Sequence, residues 1–368
     1  MPICEADPWR MQYFEGVACP ADVNVPTEDG DAWRWYPEYK WIYDKLAVAE
    51  SQDLPCAPHG IDPDTFPVFS KPIYNMRGMG AGSGVLRTLK EYKHRQRPGH
   101  MWMQLLEGEH VSTDVAVVQG EVKWQRHSVG KPLAGGMFDY WTVLAEGRPE
   151  VERYLATWVG TYMTGYTGML NFETIGARII EVHMRFADQW PDLYGAGWVE
   201  ALVKLYAAGV WDFDDRERRD GYSVVLFGEH GIQYRYPPME LVDRLRATEG
   251  VSSIQITFHE ERPPASHSMP PGGFRLAIVN TFDLELGRRV AAATAGSDVA
   301  ASGTVAGTVG SLVTALGEHR PFAPAFLGAA AGTMFLAAGA AASLPRPVYL
   351  DGGSAPSNRE LPAPGEDQ

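Results

Sequence analysis

Arg178-Ile179-Ile180-Glu181-Val182-His183-Met184-Arg185-Phe186 alternates without a break. Ile180, Val182, Met184 and Phe186 fall on one side, and Glu181, His183 and Arg185 on the other. A period of two is that of a β-strand, so residues 178–186 are expected to form a strand with an apolar back in the core. Its front sets a carboxylate, an imidazole and a guanidinium in a row, about 7 Å between successive same-face residues. Upstream, Asn171-Phe172-Glu173 ends a short segment, and a turn at Gly176 would fold it back to bring Glu173 opposite Glu181. Two carboxylates facing each other repel unless a cation lies between them. A half-buried edge strand whose Glu181 and Arg185 form a solvated ion pair fits the same pattern, so the rest of the chain has to decide.

Length and composition narrow the choice. The chain has 368 residues, 45% of them hydrophobic, enough for a sizeable core divided among two or three subdomains. A net charge of -14 argues against a general nucleic-acid partner, because phosphate backbones call for a basic surface. A nucleotide can still be held by a few local cations. Cys4, Cys19 and Cys56 are far apart with no CxxC, which points to a reducing cytoplasm and to neither a disulfide framework nor a zinc site. Residues 1–15 are mixed polar and aromatic, unlike a signal peptide.

Working outward, residues 1–43 carry Trp9, Trp33, Trp35 and Trp41 without a persistent period. They read as an irregular lead-in whose aromatic side chains pack on the main body. A short helix is expected over 44–50 and a strand over 66–72 that ends in Lys71. Four glycines at alternate positions follow, Gly78, Gly80, Gly82 and Gly84. Such a run lets backbone N–H groups come close to a phosphate, although it is neither a Walker loop nor a dinucleotide turn, and a hairpin tip would look the same. Residues 85–97 read as a basic helix and His100-Met101-Trp102-Met103-Gln104-Leu105-Leu106 as a buried strand. Glu109 closes it, and two strands follow over 111–118 and 121–127. Further on, a helix is expected over 149–162, another from Trp198, strands over 221–227, 253–259 and 274–282, and helices over 238–249 and from Leu284. From about residue 291 the composition turns to Ala, Gly, Ser and Thr. Residues 325–344 reach membrane-spanning length but hold few large apolar side chains, which makes a membrane anchor a poor reading.

The ordered set resembles the ATP-grasp superfamily over roughly residues 43–282. The set is Asp44-Lys45, then Phe69-Ser70-Lys71 with its glycine run, the strand through Trp102 with Gly108-Glu109, Asn171-Phe172-Glu173, and Glu181-Val182-His183-Met184-Arg185. The resemblance implies an α+β fold of two subdomains around ATP. The parts would be the lead-in 1–43, a small subdomain with a glycine-rich lid over 44–110, a large subdomain with the metal site over 111–220, a C-terminal α+β unit over 221–290 and an Ala/Gly-rich tail over 291–368. It also implies roles. Lys45 and Lys71 would touch ATP phosphates, and Gly78, Gly80 and Gly82 would cover them. Met103, Gln104 and Leu105 would be the hinge that meets the adenine edge, and Glu109 would hold the ribose. Glu173 and Glu181 would be the carboxylates for Mg²⁺. Arg185, with Lys71, would act on the transferring phosphoryl group. The activity implied is ligation of a small-molecule carboxylate to an amine or other nucleophile through an acyl phosphate. A phosphotransferase and a nucleotide-binding module or subunit without turnover remain as alternatives.

Two departures stand out. His183 takes the place where the family usually has asparagine, and imidazole suits Mn²⁺ better than Mg²⁺. It could bind the second metal, select a different metal, hydrogen-bond a phosphate oxygen, or ligate nothing. The second departure lies at the front, where only some forty residues precede Asp44, so the Rossmann-like domain that the family places there is not expected among them. That leaves room for a homo-oligomer or a partner chain that completes the substrate pocket. Arg126, His127, Arg178 and Arg185 are the candidates for holding the substrate's anionic group.

Overall fold

The computed structural model describes residues 8–74, 80, 82–266, 270 and 272–296. Gly78 and the tail beyond residue 296, with its stretch 325–344, lie outside the described residues. Among the described residues no helix is long and apolar enough to cross a membrane.

Two antiparallel sheets organise this part of the chain. The smaller holds β1 (Cys56–Pro58), β2 (Val68–Pro72), β3 (Gly84–Leu86) and β4 (His100–Gln104) in the order β1-β4-β2-β3. The larger holds β5 (His110–Val118), β6 (Glu121–Pro132), β7 (Phe138–Val143), β8 (Gly168–Ile175), β9 (Arg178–His183), β10 (Gly221–Gly228), β11 (Val251–Ile256) and β12 (Phe274–Thr281). Its order is β11-β12-β10-β7-β6-β5-β8-β9. The helices are α1 (Pro8–Met11), α2 (Asp29–Trp35), α3 (Lys45–Glu50), α4 (Leu89–Arg95), α5 (Pro149–Tyr162), α6 (Trp198–Ala208), α7 (Met239–Arg246) and α8 (Leu284–Gly296).

Local chemistry explains the element that matters most for the site. Asp44 opens α3 as its N-cap, accepting from the N–H groups of Leu46 at 2.9 Å and Ala47 at 3.1 Å, which satisfies two donors a helix start leaves free. Behind the sheet, α5 begins on Pro149 and turns Val151, Leu155, Trp158 and Val159 inward at helical spacing. These meet Val115, Val117, Leu170, Phe172, Ile179 and Val182 of the sheet. On the opposite face, Ala116, Trp124 and Met169 pack with Trp190, Trp198, Leu202 and Leu205. Strands β5 and β8 are thus covered on both sides.

The opening strand is shorter than its alternation predicts. It ends at His183, and its register with β8 slips between Glu173 and Thr174. Glu173 faces Glu181, as expected, but Thr174 faces Ile179. Ile180 is left over as a bulge residue, so Ile179 rather than Ile180 turns into the core beside Val182. Met184 and Phe186 are buried beyond the strand's end. β9 is the sheet's outer edge, and Gln52, just after α3, covers it. The Gln52 side-chain amide donates to the Ile179 carbonyl at 2.9 Å and accepts from the Ile179 N–H at 2.8 Å, as a neighbouring strand would.

Other expectations shift as well. Residues 85–97 begin as strand β3 and only then form α4. β7 carries no clear alternation in the sequence. The sheet does not stop at residue 220, because β10 pairs with β7 from Gly221↔Val143 to Val224↔Tyr140. α8 continues past residue 290 to Gly296. The lead-in is not irregular throughout. It contains α2 and a 3₁₀ turn over Pro37–Tyr43, and Val25, Ala32 and Ile42 are fully buried. Its aromatic side chains do pack on the body, with Trp41 5.7 Å from Trp158 and Tyr36 5.3 Å from Tyr166 between ring centroids.

Candidate nucleotide and metal site

The bulge and the cross-strand pairing converge on one spot. Glu173, Glu181 and His183 each present a ligand atom, and all three atoms lie within 4.8 Å of one another. Lys45, the first residue of α3, reaches in to Glu181 Oε1 at 2.9 Å. Lys71, from β2 of the smaller sheet, donates from Nζ to the carbonyl of Ile180 at 2.7 Å. The extra residue of the bulge therefore supplies the acceptor that anchors the second lysine. Both lysines are 6% exposed. His110 donates from Nε2 to Glu173 Oε2 at 3.3 Å.

The electrostatics follow from this crowding. Burial, then the like charge of Lys45, pushes the Lys71 ammonium down to about 8, and Glu181 and Glu173 only partly restore it. Burial alone would raise the Glu173 carboxyl. The hydrogen bond and charge of His110, with the charges of His183 and Lys45, hold it well below the usual carboxylate range instead. Two carboxylates and an imidazole that converge in this way fit a divalent cation, and oxygen donors with one nitrogen suit Mn²⁺ as well as Mg²⁺.

A further carboxylate closes the site from the N-terminal side. Asp29, at the start of α2, accepts from His183 Nδ1 at 3.1 Å and from the Tyr43 hydroxyl at 3.1 Å, and it pairs with Arg185 Nε at 3.4 Å. Burial opposes its charge, but Arg185 and His183 hold the Asp29 carboxyl far below its ordinary value. The solvated Glu181–Arg185 pair is therefore not formed. Glu181 turns to Lys45, and Arg185 to Asp29.

The remaining expected residues are spread around this centre. Gly80 and Gly82, in the loop after β2, have left-handed backbones with φ of 60° and 78°. Met103 is buried in β4 and paired on both sides, opposite Cys56 and Phe69. The Gln104 N–H is given to the Pro55 carbonyl at 2.8 Å. Leu105 lies just past the strand, outside both ladders. Glu109 is exposed and pairs with Arg148 at 3.1 Å. Of the four candidates for the substrate's anion, only Arg185 is at the site. Arg126 is buried and committed to Asp215 at 3.0 Å and to the Arg219 carbonyl at 2.9 Å. His127 is buried between Thr113 and Glu152, at 2.9 and 3.1 Å. Both are tied up inside the protein, which corrects their assignment as substrate ligands. Arg178 lies over the ring of Tyr154 at 5.0 Å.

Asp29 and His110 were missed by the sequence reading. His110 shares the period-two face of Ser112, whose cross-strand partner is Glu173, so the alternation could have found it. Asp29 sits in an acidic run that resembles any helix start, and nothing local marks it.

No family model matches this chain, and no curated protein matches it. Among solved structures it is similar to L-amino acid ligase from Bacillus licheniformis, with a TM-score of 0.55 and 12% identity over 76% of this chain and 81% of that one. It is also similar to phosphoribosylamine–glycine ligase from Thermotoga maritima, with a TM-score of 0.53 and 14% identity over 78% and 85%. At such identities the likeness is one of fold.

Proposed function

This chain has the ATP-grasp fold, and from that premise we propose that it is an ATP-dependent ligase joining a carboxylate to an amine or similar nucleophile. The observation that supports the reading most is the meeting of Lys45, Glu181, Glu173 and His183 at one point, with Lys71 anchored beside them. Phosphoryl transfer asks for little else. It is catalysed by positioning and by neutralising charge.

In this reading Lys45 and Lys71 meet the phosphates of ATP, and the glycines after β2 close over them. Glu173, Glu181 and His183 would hold Mg²⁺ or Mn²⁺, which would neutralise charge on the phosphate oxygens. Leu105 offers the free backbone of the hinge to the adenine edge. Arg185 steadies the group being transferred. A carboxylate oxygen of the substrate attacks the γ-phosphorus and ADP leaves, giving an acyl phosphate. The nucleophile then attacks the acyl carbon, loses a proton and expels phosphate.

The reading is tested by ADP release in a screen of amino acids, hydroxy acids and small dicarboxylates, each with and without an added amine. At least one pair should release ADP in step with product. Glu181→Gln keeps the side-chain shape and removes a charge, so turnover in that variant should fall by about 10²-fold or more, with folding retained. ATP binding without turnover on any pair would turn the assignment toward a nucleotide-binding module.

A further inference from the structure

The lead-in supplies one carboxylate to the site, and the atoms it touches show what it does there. Asp29 places both oxygens 3.1 Å from Nδ1 of His183. An ionised carboxylate only accepts hydrogen bonds, so Nδ1 carries a proton, and in a metal-bound ring the lone pair that reaches the cation belongs to Nε2. That nitrogen lies 3.6 Å from Glu181 Oε1, itself an acceptor. The separation is too long for a hydrogen bond. It is close to the spacing of two ligands around one small cation, about 3 Å for bonds of about 2.1 Å at right angles.

We propose that Asp29 is a positioning residue that holds His183 as a metal ligand through Nε2. This rests on reading Glu173, Glu181 and His183 as a metal site. The same carboxylate takes Arg185, with Nη2 at 3.4 Å from Oδ2, so one group orients both the ligand and the guanidinium two residues on. Tyr43 donates to it at 3.1 Å and sets its ring edge-on to His183 at 6.3 Å, which fixes the imidazole plane. An imidazole that donates its second N–H to a carboxylate is a more basic ligand, and loss of such a partner typically weakens metal binding 10- to 100-fold. An imidazolium bridging Asp29 and Glu181 without any metal would use the same distances, and the experiment must separate the two.

The experiment is Mn²⁺ titration of the full chain with ATP present, followed by electron paramagnetic resonance, with pulsed measurement of the nitrogen hyperfine signal from a bound imidazole. Wild type should bind Mn²⁺ and show the nitrogen signal. Asp29→Ala should bind about 10- to 100-fold more weakly and lose most of that signal. Asp29→Asn keeps an acceptor oxygen and the side-chain shape, so its loss should be smaller, and it carries the test if the alanine variant does not fold. In a His183→Asn background, the Asp29 changes should leave Mn²⁺ affinity nearly unmoved. Unchanged affinity and nitrogen signal in the folded Asp29 variants would overturn the proposal, and so would a wild type that binds Mn²⁺ without any nitrogen signal. If Mn²⁺ binds to wild type and is lost in Glu181→Gln, the metal site stands whatever the Asp29 variants do. If wild type binds no Mn²⁺, the metal site and the role of Asp29 fall together.

Discussion

Asp114 lies on β5, on the same face of the sheet as the carboxylate pair, and is 1% exposed. It accepts from Asn171 at 2.7 Å, from the Tyr194 hydroxyl at 2.7 Å and from the N–H of Ala187. Burial nevertheless outweighs these bonds and pushes its carboxyl up to about 6. Its folded value is above its unfolded one, so the group favours folding below the unfolded value, and that contribution is lost as pH rises through 6. Asp114→Asn keeps an acceptor oxygen for Asn171 and Ala187 and removes the buried charge, while its nitrogen leaves the Tyr194 hydroxyl, which already accepts from Trp190, without its acceptor. The gap in melting temperature, variant minus wild type, should be largest at pH 7 and narrow toward pH 4. Roughly 3 kcal/mol is the ceiling for a shift of this size. Melting curves across that range check it, and a gap that widens as the pH falls would contradict the assignment. Glu173, Glu181, His183 and Arg185 were legible as residues because alternation places them. Asp29 was not, since its meaning comes from a partner in a distant strand, and period patterns do not reach that far.

The β8–β9 hairpin turns on Gly176 and Ala177, with φ of 55° and 60°. A Cβ on Gly176 would come within 2.3 Å of the Glu107 carbonyl oxygen, and one on Gly108 within 2.7 Å of the Gly176 Cα. The link between the two sheets thus runs against the turn that aligns the carboxylates. Gly176→Ala should destabilise the protein by at least ~1 kcal/mol, since the backbone is strained for alanine and the contact cannot relax cheaply. Gly160, inside α5, has nothing within 4 Å of its added Cβ, so Gly160→Ala should stabilise by ~0.5–1 kcal/mol. Urea unfolding of the pair measures both, and equal effects would mean that the turn is not under constraint. The hairpin itself was readable, from two carboxylate-bearing segments around a glycine. The bulge at Ile180 was not. It is a mismatch in count between two strands, and neither strand shows it alone.

At the scale of the whole molecule, the first forty residues belong to the cores. Phe14, Val23 and Val25 pack with the tryptophans on one face of the large sheet. Ala32, Ile42 and Tyr43 pack with α5 on the other. A chain that begins at residue 44 should therefore fail to fold, not merely lose activity, as judged by solubility and circular dichroism. A folded, ATP-binding truncation would show the lead-in to be dispensable. The α+β character was legible, because helix starts and strand alternation are local, whereas the division into two subdomains was only what the resemblance implied. The continuity of β10 with β7 was not, because the choice of strand neighbours is settled by packing. A sheet's last strand invites another to join it. The outer rim of β9 is stoppered instead, by the Gln52 amide at Ile179 and by the Lys71 ammonium at the Ile180 carbonyl. In the proposed reading the cation that would meet phosphate is also the one that caps this rim, so a single lysine would serve both edge protection and chemistry.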